Sequence, residues 1–487
     1  MSMPALARIR QIARGGDTNR AWQAFEDAGL ADAQFPDVLA LRGRLLKDRA
    51  LRLEGEARRA TLCEAMDFYR RSAGDRRTTY PLINAATLAF LCGNMAEAHA
   101  QARVVLDMIS SGEHEPETAF WLHATKAEAH LLLGETEACR NALRQAKAEA
   151  PTAWEDQAAA ARQLREILQA IGDETVLLDE LKPPPSLHFS GLIDVGEDEE
   201  PVASLLAERI ENIRPGCIFG ALAAGADIIA AEHAMASGAE LHVVLPGTVQ
   251  EFRAASVTPF GKGWARRFDT LIDAAHSLVE FAEQPGVTQA GIVQATQVAM
   301  GLAIRNARSL SSDAVAIHIG RSGETAPSAY ALWQARGLKF DDCMLDFPRT
   351  KMTKPLKPAR TSVVLVCSEP FVDVAGVDVS VQVRIAGYWL LTFETMIEAI
   401  RFARQTLTAM PLARLGIDLC VVTAGARLEN YGLRAICLAR AAKQDEICGP
   451  WPQMAVLELL DASVRFEMSG DLVTPFGDLP ISRFRAP

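Results

Sequence analysis

Between residues 186 and 347, short β-like runs alternate with helix-length segments, and this alternation limits the fold more than any other feature of the chain. The β-like runs are SLHFSGLI, GCIFGA, ELHVVLP, SLVEFAE, AVAIHIG and CMLDFP. Between them lie EPVASLLAERIENI, GADIIAAEHAMAS, WARRFDTLIDAAH, GIVQATQVAMGLAIRNAR and PSAYALWQARG. Successive strands joined through a helix run parallel, because the crossover carries the chain back to the edge it left. Six strands and five crossovers predict a doubly wound parallel sheet, in which ligands sit at the carboxyl ends of the strands.

The flanking regions have different patterns. Residues 1–180 are rich in helix formers, with Gly at turns and no β-branched runs, which predicts an all-helical region. INAATLAFLCGNMAEAHAQARVVLDM (83–108) and WLHATKAEAHLLLGETEACRNALRQAKAEA (121–150) each read as helix, Gly-containing turn, helix, and GDTNRAWQAFEDAGL (16–30) is a weaker third copy. LKPPPSLHF (181–189) ends the helical pattern, since three consecutive prolines cannot continue a helix and make a stiff spacer. FPRTKMTKPLKPARTS (347–362) reads as a second linker. Residues 362–487 then give strand, hairpin, helix, strand, helix and a β-rich end, an antiparallel-leaning α+β pattern. The expected architecture is therefore multidomain, α + α/β + α+β, with a helical repeat over 1–182, a doubly wound sheet over 186–348, a linker over 349–361 and an α+β domain over 362–487.

Charge and composition exclude several classes of function. The net charge of −11 is uneven: residues 1–182 carry 23 basic and 27 acidic side chains, residues 183–350 carry 12 and 20, and residues 351–487 carry 15 and 14. The acidic excess lies in the middle, so no domain offers the basic face that nucleic acid requires. No apolar run reaches the roughly 18 residues of a spanning helix, so no membrane segment is expected. The N-terminus, MSMPALARIRQIARGG, lacks the apolar core of a secretory signal. The nine Cys are scattered without a CxxC pair, which suits a reducing cytoplasm and predicts no metal site.

Candidate ligand residues follow from the strand ends. The first strand ends at Ser190 and Gly191. The second ends at Gly220 and Ala221, with Gly225 before the helix that Asp227 begins. The third ends at Pro246 and Gly247, and the fifth at Gly320, followed by Gly323 and Thr325. Small residues there allow a ligand to approach the backbone, and helix N-termini face any phosphate. Such glycines also make ordinary tight βα turns, and the residues alone do not separate the two readings. Glu232 and His233 are possible polar contacts to a base or ribose, and Arg253 and Arg267 are within reach of a phosphate unless they pair on the surface. GALAAG (220–225) is not GxGxxG, and no GxxxxGK[ST] occurs.

The helical region resembles tetratricopeptide repeats, and more narrowly the helical part of the TRAF-binding region of MAP kinase kinase kinases and its bacterial relatives. The resemblance implies a protein partner held in a groove; a helical lid on the next domain is the other reading. FSGLID (189–194), GALAAGADIIAAEHAMASGAELHVVLPG (220–247), EFRAASV with WARRF, and GETAPSAYALWQARG (323–337) resemble the SLOG superfamily of Rossmann-like domains. That resemblance implies a nucleotide or nucleotide-derived ligand of adenine type as the cofactor or signal. Enzymes of that superfamily carry a PGGxGTxxE loop; here Pro246 is followed by GTVQEF, which argues against hydrolase chemistry.

Residues 362–487 resemble a class III nucleotide cyclase homology domain of ferredoxin-like type. Such cyclases hold two divalent metals on two Asp of adjacent strands and orient the nucleotide with Asn and Arg on a helix. In this chain Ser368, with Glu369 beside it, stands at the first Asp position and Gly387 at the second. Cys437 stands near the Asn and Ala441 near the Arg, with Arg440 one residue away. The resemblance therefore implies a degenerate cyclase without catalysis, retained for head-to-tail pairing as a homodimer, with Trp389, Leu390, Leu391 and Phe393 as its apolar strand. The expected function is a non-catalytic cytoplasmic regulatory protein. The alternatives are a nucleotide-processing enzyme and a scaffold that binds no ligand.

Overall fold

The computed structural model describes residues 3–14, 18–74, 76, 78–173, 175–195, 199–283, 286–347, 356–370, 381–423, 429–462, 464 and 468–484. Residues 349–355, most of the expected 349–361 linker, lie outside them. The chain divides into two compact units, Met1–Pro183 with Ser309–Ser311, and Pro184–Arg308 with Ser312–Pro487.

The first unit is helical: α1 (Met3–Arg14), α2 (Thr18–Asp27), α3 (Pro36–Ala50), α4 (Gly55–Ala73), α5 (Thr79–Leu91), α6 (Met95–Ser111), α7 (Ala119–Leu132), α8 (Thr136–Glu149) and α9 (Trp154–Ile171). Helices α3 and α4, α5 and α6, and α7 and α8 pack as successive hairpins. The sequence repeat reappears as a repeated turn. After α5, Asn94 N–H donates to Ala89 O at 2.8 Å, and after α7, Glu135 N–H donates to His130 O at 2.9 Å. Both are the six-to-one bond that closes a helix through a left-handed residue. Small buried residues, among them Ala86, Ala89, Ala98, Ala127 and Ala142, let the helices approach closely.

The second unit contains two sheets. The first comprises β1 (Ser186–Gly191), β2 (Cys217–Gly220), β3 (Glu240–Leu245), β4 (Ser277–Glu280), β5 (Ala314–Arg321) and β6 (Lys339–Leu345). Helices α10 (Glu200–Ile213), α11 (Ala226–Ala236), α12 (Val249–Ser256), α13 (Lys262–Ala274), α14 (Gln289–Ser309) and α15 (Ala329–Ala335) connect them. All pairings are parallel, in the order β4-β3-β2-β1-β5-β6. One face is apolar: Leu187, Phe189, Ile218, Leu241 and Val243 pack with residues of α10, α11 and α13. Period-2 alternation turns their neighbours to the other face, where His188 meets the rings of Tyr330 and Trp333 on α15 and His242 stacks on Phe219.

Two details differ from the sequence expectation. The sixth strand is KFDDCML, beginning at Lys339 rather than at Cys343. It lies at the sheet edge, where consecutive Asp341 and Asp342, one on each face, interrupt the apolar run and disguise the strand pattern. VQEFRAAS, absent from the expected helical segments, forms a helix of its own, α12, opened by a Thr248–Glu251 capping box.

The second sheet is mixed. Its strands are β7 (Ala359–Cys367), β8 (Val381–Ile385), β9 (Tyr388–Phe393), β10 (Arg414–Thr423), β11 (Glu446–Pro450), β12 (Met468–Thr474) and β13 (Gly477–Phe484). Their order is β12-β13-β11-β10-β7-β9-β8, with only β10 and β11 parallel. Helices α16 (Met396–Ala409), α17 (Glu429–Ala441) and α18 (Val456–Leu460) complete it.

The two sheets share a buried seam along α14. Gln294 Nε2 donates to Leu419 O at 3.2 Å, and the backbone of α14 at Gly301 lies against the carbonyl of Ala455. Arg434 on α17 forms a bidentate pair with Asp418 at 2.6 and 2.7 Å and also reaches Glu283 at 2.6 Å. Burial alone would lower the Arg434 pKa, but Asp418 outweighs it and holds the guanidinium charged. Removing one partner of the buried Asp418–Arg434 pair costs about 3–5 kcal/mol; that pair belongs to the mixed-sheet layer, and the contact that crosses to the parallel-sheet region is the one to Glu283.

Candidate functional site

The strand order reverses beside β1. The chain lays β2, β3 and β4 outward on one side of it, then returns to place β5 and β6 on the other. In open parallel sheets, ligands enter the crevice at the carboxyl ends of the strands flanking such a reversal. Here those strands are β1 and β5. Register pairs Ser190 with His318, and His318 with Asp342 on β6, so three polar side chains form one row across the sheet. Ser190 Oγ lies 3.0 Å from His318 Nδ1 and 2.6 Å from the Tyr330 hydroxyl, which in turn donates to Ile317 O at 3.3 Å. Burial lowers the His318 pKa, with Asp342 opposing. At neutral pH the imidazole is thus uncharged, and its Nδ1 shares a hydrogen bond with the Ser190 hydroxyl. Ser190 was legible in the sequence as a strand end. His318, Tyr330 and Asp342 were not, because a single His inside AVAIHIG is indistinguishable from a core residue until the register is known.

The GALAAG turn after β2 is occupied by the protein itself. Asp227 is buried, and its carboxylate accepts from Gly191 N–H at 2.9 Å and Ala223 N–H at 3.2 Å. Ala224 N–H donates to Ser256 O at 3.0 Å, and Ala226 N–H to Leu192 O at 3.0 Å. Burial raises the Asp227 pKa to about 7 despite these bonds. The small residues make room for the chain rather than for open space. A Cβ at Gly191 would stand 2.6 Å from Ala226 Cβ, and one at Gly220 would stand 2.7 Å from Phe189 O. Gly225 adopts φ +108°, and a Cβ there would stand 2.5 Å from Leu192 O. Ala221 borders the same turn, half-buried.

The next turn is filled in the same way. Pro246 and Gly247 are buried at the end of β3, and Glu251 caps α12 by accepting from Thr248 N–H and Oγ1, each at 3.0 Å. Val249 N–H donates to Glu280 at 2.6 Å. Both helix N-termini thus meet carboxylates of the chain, which opposes a phosphate there. Arg253 pairs with Asp269 at 2.8 and 2.9 Å. Glu232 is gripped by Arg267 at 2.8 and 2.6 Å, and Arg267 also reaches Glu199 at 2.7 Å. Gly320 is buried against Met344 and His318, whereas Gly323 and Thr325 are exposed, with open space around Gly323.

In the mixed sheet, β7 and β9 are neighbours with Cys367 opposite Trp389, so Ser368, Glu369 and Gly387 fall at one end of adjacent strands. All three are exposed. Ser368 and Glu369 border a depression of about 540 Å³ with Met410, Leu412 and Gln444. Cys437 and Ala441 are half-buried on α17, and Arg440 Nε donates to the Tyr388 hydroxyl at 3.3 Å. Leu390, Leu391 and Phe393 are core residues of the sheet; of the four apolar residues expected to form a pairing strand, only Trp389 is not fully buried.

Residues 3–89 match the Tetratricopeptide Repeats-Sensor family. No curated protein matches the chain. A Thermobaculum terrenum O-GlcNAc transferase mutant aligns with 13% sequence identity over 64% of this chain and 76% of that one, with a TM-score of 0.18, too low to support an argument. Helical repeats of this kind serve protein–protein contacts or regulatory sensing. Among the described residues, no helix is long and apolar enough to cross a membrane.

Proposed function

We infer that the chain is a regulatory sensor in three modules, 1–182, 186–348 and 362–487. Its helical repeats take a protein partner, and its Rossmann-like parallel sheet reads a nucleotide-derived ligand of adenine type. The mixed sheet is read as a degenerate cyclase homology domain kept for assembly as a homodimer. The observation that carries the ligand reading is the row Ser190–His318–Asp342 at the reversal of strand order between β1 and β5. Because Asp227, Glu251 and Glu280 already fill the helix N-termini, recognition falls on base or ribose rather than phosphate. Without carboxylates at Ser368 and Gly387, the mixed sheet lacks the paired acidic groups that hold catalytic metals.

The test is thermal unfolding of the full chain with adenosine, AMP and ATP, with and without magnesium. A ligand at 100 times its Kd adds about 2.7 kcal/mol. A magnesium-independent shift shared by adenosine and AMP, and lost in Ser190→Ala, supports the reading. A shift that requires the triphosphate counts against recognition through base or ribose. No shift with any of them at millimolar concentration leaves a scaffold. One observation favours an enzyme as the second reading: Ser190 Oγ and His318 Nδ1 stand at nucleophile–base distance. Turnover of AMP or ATP that disappears in Ser190→Ala would establish it.

A further inference from the structure

The opposite, amino-terminal end of the parallel sheet carries a second cluster. Cys217 opens β2, Glu240 opens β3, and the register pairs them directly. His242 lies two residues along β3 and therefore on the same face as Glu240. His276 precedes β4, its N–H donating to Leu241 O at 2.7 Å. The other three side chains converge on one carboxylate oxygen of Glu240. Glu240 Oε2 lies 3.7 Å from Cys217 Sγ, 3.9 Å from His242 Nε2 and 3.9 Å from His276 Nδ1. One ligating atom from each of Cys217, Glu240 and His242 lies within 4.8 Å of the other two.

The orientation of His242 is fixed. Its Nδ1 lies 2.8 Å from Ser277 Oγ, and its ring stacks on Phe219 at 4.5 Å between centroids. Its Nε2 is buried and makes no hydrogen bond. A buried imidazole nitrogen without a partner is costly, and a metal-binding His commonly anchors its second nitrogen to a polar group as this one does. The cluster has an open side for entry, since the His276 and Glu240 side chains are 59% and 42% exposed while Cys217 is buried.

We propose that Cys217, Glu240, His242 and His276 form a binding site for one divalent transition-metal ion, with Zn²⁺ the best chemical fit. A thiolate, two imidazoles and a carboxylate are zinc donors, and four protein ligands make a closed, structural site. Tetrahedral zinc with bonds of about 2.0–2.3 Å places its donors roughly 3.3–3.8 Å apart; the three contacts to Glu240 Oε2, at 3.7, 3.9 and 3.9 Å, already come near this, and the remaining donors, with the exposed His276 ring, close in further as the ion binds. On binding, the thiol loses its proton to solvent, and the metal–sulfur, metal–oxygen and metal–nitrogen bonds form without any change of oxidation state. The ion ties β2, β3 and β4 together at the end of the sheet away from the ligand crevice.

The experiment is a Co²⁺ titration of the full chain after chelator treatment, followed by displacement with Zn²⁺. The expected result is a thiolate-to-cobalt charge-transfer band saturating at one ion per chain and erased by Zn²⁺. Cys217→Ser removes the band, and Glu240→Gln weakens affinity at least about tenfold. Glu240→Gln guards against misfolding of the buried Cys217 variant, since its side chain is partly exposed; circular dichroism checks both. A double Cys63→Ser/Cys92→Ser variant controls for a thiol pair elsewhere in the chain, whose sulfurs are 3.2 Å apart. The proposal is overturned if no stoichiometric binding occurs, if the band persists in Cys217→Ser, or if it vanishes only in the double variant.

Discussion

At the carboxyl end of the parallel sheet several backbone donors are already taken by the chain. Asp227 holds Gly191 and Ala223, Glu251 caps α12, and Ser256 O and Leu192 O take two further N–H groups of the GALAAG turn. At the amino end a Cys, a Glu and two His converge, and the buried nitrogen of His242 has no hydrogen bond. The fold rule for parallel sheets points to the first end and is silent about the second. Topology locates a crevice, but the accounting of donors and acceptors shows which groups still lack a partner.

The largest effect should come from Gly225→Ala. Its φ of +108° suits glycine, and the added Cβ would stand 2.5 Å from Leu192 O, a backbone atom that cannot swing away. Strained backbone and overpacking together cost about 3 kcal/mol or more. The loss should appear in denaturant unfolding of the protein without any ligand. A Gly225→Ala protein as stable as the parent would break the comparison, because the turn would then have room for something other than the chain.

Next comes the titration of Asp227. Its pKa rises from the ordinary 3.8 to about 7 in the fold, through burial. Between those values the folded state holds a proton that the unfolded state has released. The contribution of this group is therefore greatest below about pH 4, is lost as pH rises toward about 7, and is level above that. At about 1.4 kcal/mol per unit, the swing is about 4 kcal/mol. Asp227→Asn removes the titration and, having one acceptor oxygen, leaves one N–H poorly satisfied. It should be clearly less stable than the parent at pH 5, with the gap closing or reversing by pH 8. A gap independent of pH would show that solvent reaches the carboxylate and that the turn is more open than its hydrogen bonds indicate.

These cases also show what the sequence could convey. Alternating β-like and helical runs announced a parallel sheet, because the period of hydrophobicity changes from strand to helix within each unit. The repeated Gly turns announced helical hairpins through Gly93 and Gly134. The strand ends gave Ser190, Gly191, Gly220 and Gly225 as positions, but not what each one faces. Ser190 acquired its neighbours only when β5 and β6 were laid beside β1, an order that no local pattern encodes. The edge strand β6 was misplaced because consecutive Asp341 and Asp342, tolerated at an edge, break the apolar pattern of a strand. Cysteine spacing suggested no metal ligands, since Cys217 and His276 are brought together by β2–β3–β4 pairing rather than by a short motif. The buried pair of Asp418 and Arg434 was likewise invisible before α17 was packed on β10.

The smallest effect belongs to the amino end in the absence of metal. Glu240→Gln keeps the shape of the side chain and removes a charge that is partly exposed. Surface substitutions of this kind stay within about 0.5 kcal/mol. In chelator-treated protein the unfolding midpoint should therefore scarcely move. With Zn²⁺ added, the parent should gain stability that the variant lacks, because a ligand bound only to the folded state stabilises it by mass action. The two ends then differ in kind: substitutions at the carboxyl end alter the protein itself, whereas this one alters only its response to an ion. A large loss in the metal-free variant would reverse that distinction, making Glu240 a structural member of the sheet edge whose proximity to Cys217 and His242 serves packing.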